Sequence, residues 1–413
     1  MLDVFLGELH VGVIVREEGT NIFAFALDDD YADMPRRPVL GQQFEERRHH
    51  RVFRQTSQQG QLPTFFANLL PEGALQAMIV AQFKPDDAAA TLAVVGEDLP
   101  GAIIVRPAVT APALPSGAKR YDEALAPAAP ADDGLRFSLA GMQLKFSAVE
   151  NAEDRFTLPF RGLGGRWILK FGSEVYPGLP ENEFAVMGWA QACGLNVPEH
   201  RLVPARTVAG LDARFLALGE HVFAIRRYDR LPDGGRVHQE DFAQVRGVPP
   251  VPSILKYSGA SLEGLARFVG DLCGRDDLIE YLRRMLFLIL CGNTDAHLKN
   301  WSLVYPDGRS ARLSPVYDFV CVRQYLPENQ LALALATEKR PERIGWAHIA
   351  RIEKFLRKHG HDVDLVKLGG EFVQRCMDEW ASRRDSFDAP ARDAVERHLA
   401  GLPLVKELGA VRA

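Results

Sequence analysis

The strongest constraint on the fold is an abrupt change of character at Gly292. The run Met285 to Cys291 (MLFLILC) is wholly apolar, and the eight residues after Gly292 bring Asn293, Asp295, His297, Lys299 and Asn300. A core segment cannot bury so many polar groups without partners. The apolar run therefore reads as the end of a packed helix, and the polar stretch as a loop that opens onto a site. A strand-like WSLVY, a turn at Pro306-Asp307-Gly308 and a second short apolar stretch lead to one more isolated carboxylate, Asp318, between Tyr317 and Phe319. An Asp, an Asn five positions on and a second Asp after a hairpin-like connection share the spacing of a kinase catalytic loop and its metal-binding Asp.

Phosphoryl transfer asks a protein mainly to position groups and neutralise charge: a carboxylate at the acceptor hydroxyl, oxygen ligands for magnesium and a cation on the nucleotide phosphates. Asp295 suits the first role and Asn300 with Asp318 the second, because magnesium needs few protein oxygens and keeps several waters. The third falls to Lys170, which sits inside the strand-like WILKF with apolar neighbours on both sides. Taken alone, Lys170 reads more readily as an edge-strand lysine reaching to water; if buried, it needs an anionic partner. Glu183, in the first turn of a helix opening at Pro180, is a candidate for that partner and equally for a helix-dipole contact. In the loop, His297 reads as an orienting group before a general base, and Lys299 either neutralises the transferring phosphate or is solvated. There is no Walker loop and no G-x-G-x-x-G. The nearest glycine turn is Ser138-Leu139-Ala140-Gly141, whose amides suit a phosphate if it lies over Lys170. Asp318 is followed by Phe319-Val320 without the glycine of the usual kinase signature.

Bulk properties narrow the classes. With 413 residues, two or three domains with cores are expected. A net charge of -5 and no block of consecutive Lys or Arg give no global reason to bind nucleic acid. Asp3 and Glu8 interrupt the N-terminal apolar stretch, and the longest apolar run is far below the ~18 residues of a membrane span, so a cytoplasmic protein is expected. The five scattered cysteines contain no C-x-x-C pair and support neither a disulfide framework nor a zinc site.

Along the chain, residues 1 to 30 alternate as strand, turn and strand. EERRHHRVFR at 45 to 54 reads as a solvated charged face. Two short helices (Phe65 to Leu70, then Ala74 to Phe83) and a strand at Ala102 to Val105 follow. The Ala/Pro-rich segment 108–133 reads as a linker. Beyond it, strands are expected at Phe156 to Pro159, Arg166 to Phe171, Arg201 to Pro204 and Val222 to Tyr228, with a turn at Arg161 to Gly165 and a helix from Pro180 to near Gly194. Helices are then expected at 261–272, 275–291, 342–358, 363–382 and 388–399.

In this order, FFANLLPEG, FSLAGMQLK, WILKF, ENEF, RRYDR, HQEDFAQ, CGNTDAHLKN and LSPVYDF resemble the HipA family of bacterial serine/threonine kinases, the toxins of HipBA-type toxin-antitoxin systems. The resemblance spans nearly the whole chain, with NTDAHLKN and the later Tyr-Asp pair as its most specific part. It implies an α+β, two-lobed protein-kinase-like fold. Residues 1–107 would be an extra β-rich N-terminal module, 108–133 a linker, 134–228 the small lobe and 229–413 a mostly helical large lobe. It further implies Asp295 as catalytic base, Asn300 and Asp318 as Mg2+ ligands, and Lys170 on the ATP phosphates. Ala140 and Gly141 would lie in the loop that replaces the glycine-rich loop, and Ser138 would be the autophosphorylated serine of that loop. Arg227, Tyr228 and Asp229 fall at the hinge beside the nucleotide; Arg226, where the family often has an acidic residue, is assigned no role. Implied partners are a HipB-like helix-turn-helix antitoxin, operator DNA through that antitoxin, and a protein substrate such as an aminoacyl-tRNA synthetase, with no membrane. Two other readings compete: a small-molecule phosphotransferase, because the same loop chemistry serves many alcohols, and a catalytically silent corepressor bound to a DNA-binding partner.

Overall fold

The structure is a computed structural model and describes residues 1–54, 60–109, 144–151, 156–157 and 165–412. Ser138, Ala140, Gly141, most of the segment 108–133 and the turn at 161–164 lie outside the described residues.

Three antiparallel sheets and a helical region make up the described chain. The first sheet has the order β4-β3-β2-β1-β5 and uses β1 (Leu2–Leu6), β2 (Leu9–Arg16), β3 (Phe23–Leu27), β4 (Val52–Arg54) and β5 (Ile103–Pro107). Alternation decides its faces: in β3, Phe23, Phe25 and Leu27 enter the large core, whereas Ala24 and Ala26 join a small cluster with Val13 and Val15 on the other side. Helices Thr64–Ala67 and Gly73–Phe83 follow, and an unexpected third, Ala88–Val95, is started by the Asp87 side chain accepting from Ala90 N–H. Arg47, Arg48, His49 and His50 are exposed, as a solvated face requires.

The second sheet, β7-β6-β8-β10-β9, contains β6 (Lys145–Glu150), β7 (Phe156–Thr157), β8 (Trp167–Lys170), β9 (His200–Pro204) and β10 (His221–Arg226). Here β8 pairs on both sides, so the edge-strand reading of Lys170 is corrected: the lysine is 3% exposed in the middle of a sheet. Phe171, Phe146 and Phe215 pack against each other behind this sheet. One apolar core runs from the first sheet into the second, including Phe25, Phe66, Phe146 and Trp167.

After β10 the chain becomes mainly helical around a second core. A small third sheet is formed by β11 (His238–Asp241), which the periodicity did not reveal, β12 (Ser302–Tyr305) and β13 (Arg312–Leu313). Helices Leu262–Cys273, Arg275–Leu290, Trp346–Lys358, Leu365–Arg383 and Ala389–Gly401 lie close to their expected positions. The helix Arg275–Leu290 buries every residue from Arg284 to Leu290. It stops because Gly292 takes φ +71°, a left-handed conformation that costs glycine no Cβ clash, while Asn293 N–H returns to Leu288 C=O. That stop turns the chain out of the core and presents the polar loop.

Candidate active site

The loop after Gly292 lies on one wall of a cleft of about 990 Å³. Asn293 organises it: its Oδ1 accepts from Asp295 N–H at 3.1 Å and its Nδ2 donates to the Asp318 carbonyl at 3.1 Å. Asn300 Nδ2 donates to the Asp295 carbonyl at 3.0 Å, which leaves the amide oxygen of Asn300 available. Asp318 itself adopts φ +57°, a region that Asp tolerates better than most residues but that still stores strain. Position 318 thus carries the left-handed turn without a following glycine.

The opposite wall is β8 and its neighbours. Lys145 and Phe223 stand directly across from Lys170 in the two flanking strands, and opposed residues share a sheet face. The Lys170 ammonium donates to both Glu183, from the helix Leu179–Ala192, and Asp318. Glu183 is therefore the partner of Lys170, and it lies past the first turn of its helix, where the acidic residue is Glu181. Burial alone would lower the Lys170 pKa, but the two carboxylates outweigh it and hold the lysine charged. Burial would raise Asp318, yet Lys170 and Lys145 hold its carboxyl well below the usual range. Glu183 is pushed up to about 7 by burial, which Lys170 offsets only in part, and its Oε2 has no hydrogen-bond partner among the described residues.

Around Asp295, burial lifts the carboxyl above its ordinary value, and Tyr257 donates its hydroxyl to Oδ1 at 2.8 Å. His297 lies edge-on to the Tyr257 ring at 5.1 Å, and its pKa falls to about 3 through burial and the Lys256 charge. The imidazole is neutral, and its buried Nδ1 has no partner among the described residues. Lys299 does not point into open space: it donates to the Glu72 carboxylate and, at 3.2 Å, to the Asn68 carbonyl.

Arg227, Tyr228 and Asp229 border the cleft at the end of β10. The charged ends of Arg227 and Asp229 face away into a buried cluster. Arg227 donates to Asp229 and to Asp98 at 2.9 Å each, and Arg230 to Asp98 at 2.7 Å and Asp229 at 2.9 Å. Neither end is left over for a nucleotide. Tyr228 packs beside Tyr317, with ring centroids 6.2 Å apart. Arg226 donates to Glu199 at 3.1 Å.

Four cleft residues were missed in the sequence. Lys145 was visible only as the last residue of FSLAGMQLK. Lys256 and Tyr257 lie in a short stretch, Ser253–Tyr257, without periodic signal. Glu72 sits in PEG, far from the loop it meets.

Among the described residues, no group of three or more His, Cys, Asp or Glu forms a metal site. Asp318 and Asn300 nevertheless offer hard oxygens on the same cleft, and magnesium completes its shell with water and phosphate oxygens. The donor set fits Mg2+ and no soft metal.

Comparison with known proteins places the fold. A domain described as the HipA-like C-terminal domain matches residues 137–383, and one described as the HipA N-terminal domain matches residues 2–106. A putative kinase of Sinorhizobium fredii, Y4dM, is 36% identical over 418 residues, covering 98% of each chain. The serine/threonine-protein kinase toxin HipA of Shewanella oneidensis is 26% identical over 370 residues, 83% of this chain and 80% of that one. The fold matches a chain of the solved Shewanella oneidensis complex of HipA, HipB and operator DNA with a TM-score of 0.71 at 23% identity, over 100% of this chain and 99% of that one. Carrying both domains in order, with the two-lobed α+β architecture around the cleft, the chain belongs to the HipA family.

Proposed function

We propose that this chain is an ATP- and Mg2+-dependent serine/threonine protein kinase of HipA type, the toxin arm of a toxin-antitoxin pair. The observation that carries the reading is the meeting of two sets of groups across one cleft. Lys170 lies between Glu183 and Asp318 on one wall, and Asp295 stands beside Asn300 on the other. Residues 134–228 and 229–413 act as the two lobes, and 1–107 as the added module. Lys170, with Lys145 beside it, binds ATP phosphates. Asp318 and Asn300 hold the magnesium ion, which supplies positive charge against the phosphates.

In the reaction, the acceptor hydroxyl oxygen bonds to the γ-phosphorus as the bond to the β–γ bridging oxygen breaks. ADP leaves, and the hydroxyl proton passes to the Asp295 carboxylate. An elevated pKa makes that carboxylate a better base than a solvent-exposed one, and Tyr257 fixes its direction. Neutral His297 keeps the loop in shape without competing for the proton. Backbone groups at Arg227 to Asp229 and at Ala140 and Gly141 receive the nucleotide.

The acceptor is a protein serine or threonine, with an aminoacyl-tRNA synthetase as the substrate class and Ser138 as the site of self-modification. A phosphate on Ser138 would add close to two negative charges, which repel those of ATP. The partner is a HipB-like helix-turn-helix antitoxin, through which operator DNA is contacted, in keeping with the shared fold of the HipA chain in the operator complex. The site of action is the cytoplasm; among the described residues no helix is long and apolar enough to cross a membrane. Transfer from γ-labelled ATP tests the reading. Wild type labels itself or an added acceptor protein, whereas Asp295→Gln and Asp318→Ala fall by roughly a thousandfold or more with unchanged circular dichroism. Normal transfer by either variant rejects the assignment.

A further inference from the structure

We infer that Glu72, brought by the N-terminal module, is a positioning residue of the transfer site, holding Lys256 and Lys299 so that the groups around Asp295 keep one arrangement. The inference rests on the kinase reading. Glu72 precedes the helix Gly73–Phe83 at its N-cap position, where a carboxylate ordinarily accepts from the first free N–H groups. It makes no such bond. Its Oε1 instead accepts from Lys299 Nζ, and its Oε2 lies 3.4 Å from Lys256 Nζ. The three side chains are 19%, 7% and 5% exposed, so the contact is largely shielded from water. Burial would raise the Glu72 pKa, but the two ammonium groups outweigh it and hold the carboxyl below its ordinary value.

Each lysine leads directly to the base. Lys256 precedes Tyr257, whose hydroxyl is 2.8 Å from Asp295 Oδ1. Lys299 precedes Asn300, whose amide is 3.0 Å from the Asp295 carbonyl. A single carboxylate thus fixes both arms that grip Asp295. Without it, two shielded ammonium groups would repel each other and be left to the carboxylates whose charge they already feel, Asp295 for Lys256 and Asp241 for Lys299. Attachment of the module does not depend on Glu72. Asp98 is locked to Arg227 and Arg230, and Gln42 N–H donates to Glu240 at 2.9 Å. The family's C-terminal domain, 137–383, therefore lacks one charge that its own catalytic loop uses.

The test measures self-labelling of the full chain from γ-labelled ATP at saturating Mg-ATP, with ATP dissociation constants and thermal midpoints measured separately. Glu72→Gln is expected to lower the saturating rate roughly tenfold to a hundredfold, with ATP affinity within about twofold of wild type. Glu72→Asp, which keeps the charge, restores part of the rate. Lys256→Met, which breaks one arm from the kinase side and leaves the module intact, lowers it in the same direction by a smaller factor. An unchanged rate in both Glu72→Gln and Lys256→Met overturns the inference. So does a Glu72→Gln loss that merely follows a fall in thermal midpoint and ATP affinity, the pattern of a docking contact. Wild-type protein that binds Mg-ATP but transfers nothing counts instead against the kinase reading beneath it.

Discussion

Two buried charge clusters lie near each other in this protein and differ in how their charges are satisfied. In the first, Arg227 and Arg230 face Asp98 and Asp229; both Asp229 oxygens are taken by Arg227, and further bonds run to the Leu99 and Gly101 carbonyls. Gly101 N–H adds a bond to Asp229 at 2.8 Å. Guanidinium forks suit this, because their fixed donors match planar carboxylates. In the second, Lys170 is a point charge between Glu183 and Asp318. Among the described residues, Glu183 Oε2 has no hydrogen-bond partner, and neither has Arg230 Nε in the first cluster, but Glu183 lines the cleft, which Arg230 does not, and the Asp318 side chain keeps 29% of its surface exposed. The first cluster joins the N-terminal module to the end of β10. The second keeps binding capacity in reserve, which is what a site for a phosphate and a metal ion needs. A buried charge group marks a functional place less by its charge than by the bonding capacity it leaves open towards a cleft.

The sharpest way to break this contrast is to exchange the expected phenotypes. Asp318→Ala should remove transfer and leave the denaturation midpoint close to wild type. Asp98→Ala leaves two buried guanidinium groups with one carboxylate, and should cost about 3–5 kcal/mol, read as a lower urea midpoint. Its transfer rate per folded molecule should change far less. A large stability loss in Asp318→Ala with none in Asp98→Ala would reverse the assignment of the two clusters.

A smaller effect concerns a third junction, where Glu240 accepts from Gln42 N–H and the Tyr305 hydroxyl. Burial pushes Glu240 up to about 8, offset only in part by those bonds. A carboxyl raised in the folded state contributes its stability below its ordinary value of 4.5 and loses it as pH climbs through about 8. Wild type should therefore lose stability across that window. Glu240→Gln should flatten the profile and gain on wild type from about pH 5 to about pH 9 in thermal melts. Parallel curves for the two proteins would show that this junction carries an ionised carboxylate throughout.

What the sequence made legible follows the range of the interaction. Asp295, Asn300 and Asp318 stand out because the loop is local: an apolar helix, a left-handed glycine and a hairpin put them within 24 residues of one another. Glu183 was an equal candidate partner for Lys170 because both lie in a short strand-to-helix unit, 13 residues apart. Nothing local reveals that β8 is central, since that depends on β6 and β10 pairing to either side. Glu72 and Lys299 are 227 residues apart, and Asp98 and Arg227 are 129 apart. No periodicity records such meetings, which arise only when the module docks. Arg227 and Asp229 illustrate the cost: RRYDR borders the cleft, but the charged ends of these two side chains turn from it, Arg227 towards Asp98 and Asp229 towards Arg227.

The most direct measurement is quantitative phosphoproteomics of cells expressing wild type beside cells expressing Asp295→Gln at matched, folded levels. Serine or threonine phosphopeptides that rise with wild type and stay at background with Asp295→Gln are expected, from a protein acceptor and from this chain itself. Indistinguishable phosphoproteomes, with both proteins folded and binding Mg-ATP, would contradict a protein kinase centred on Asp295.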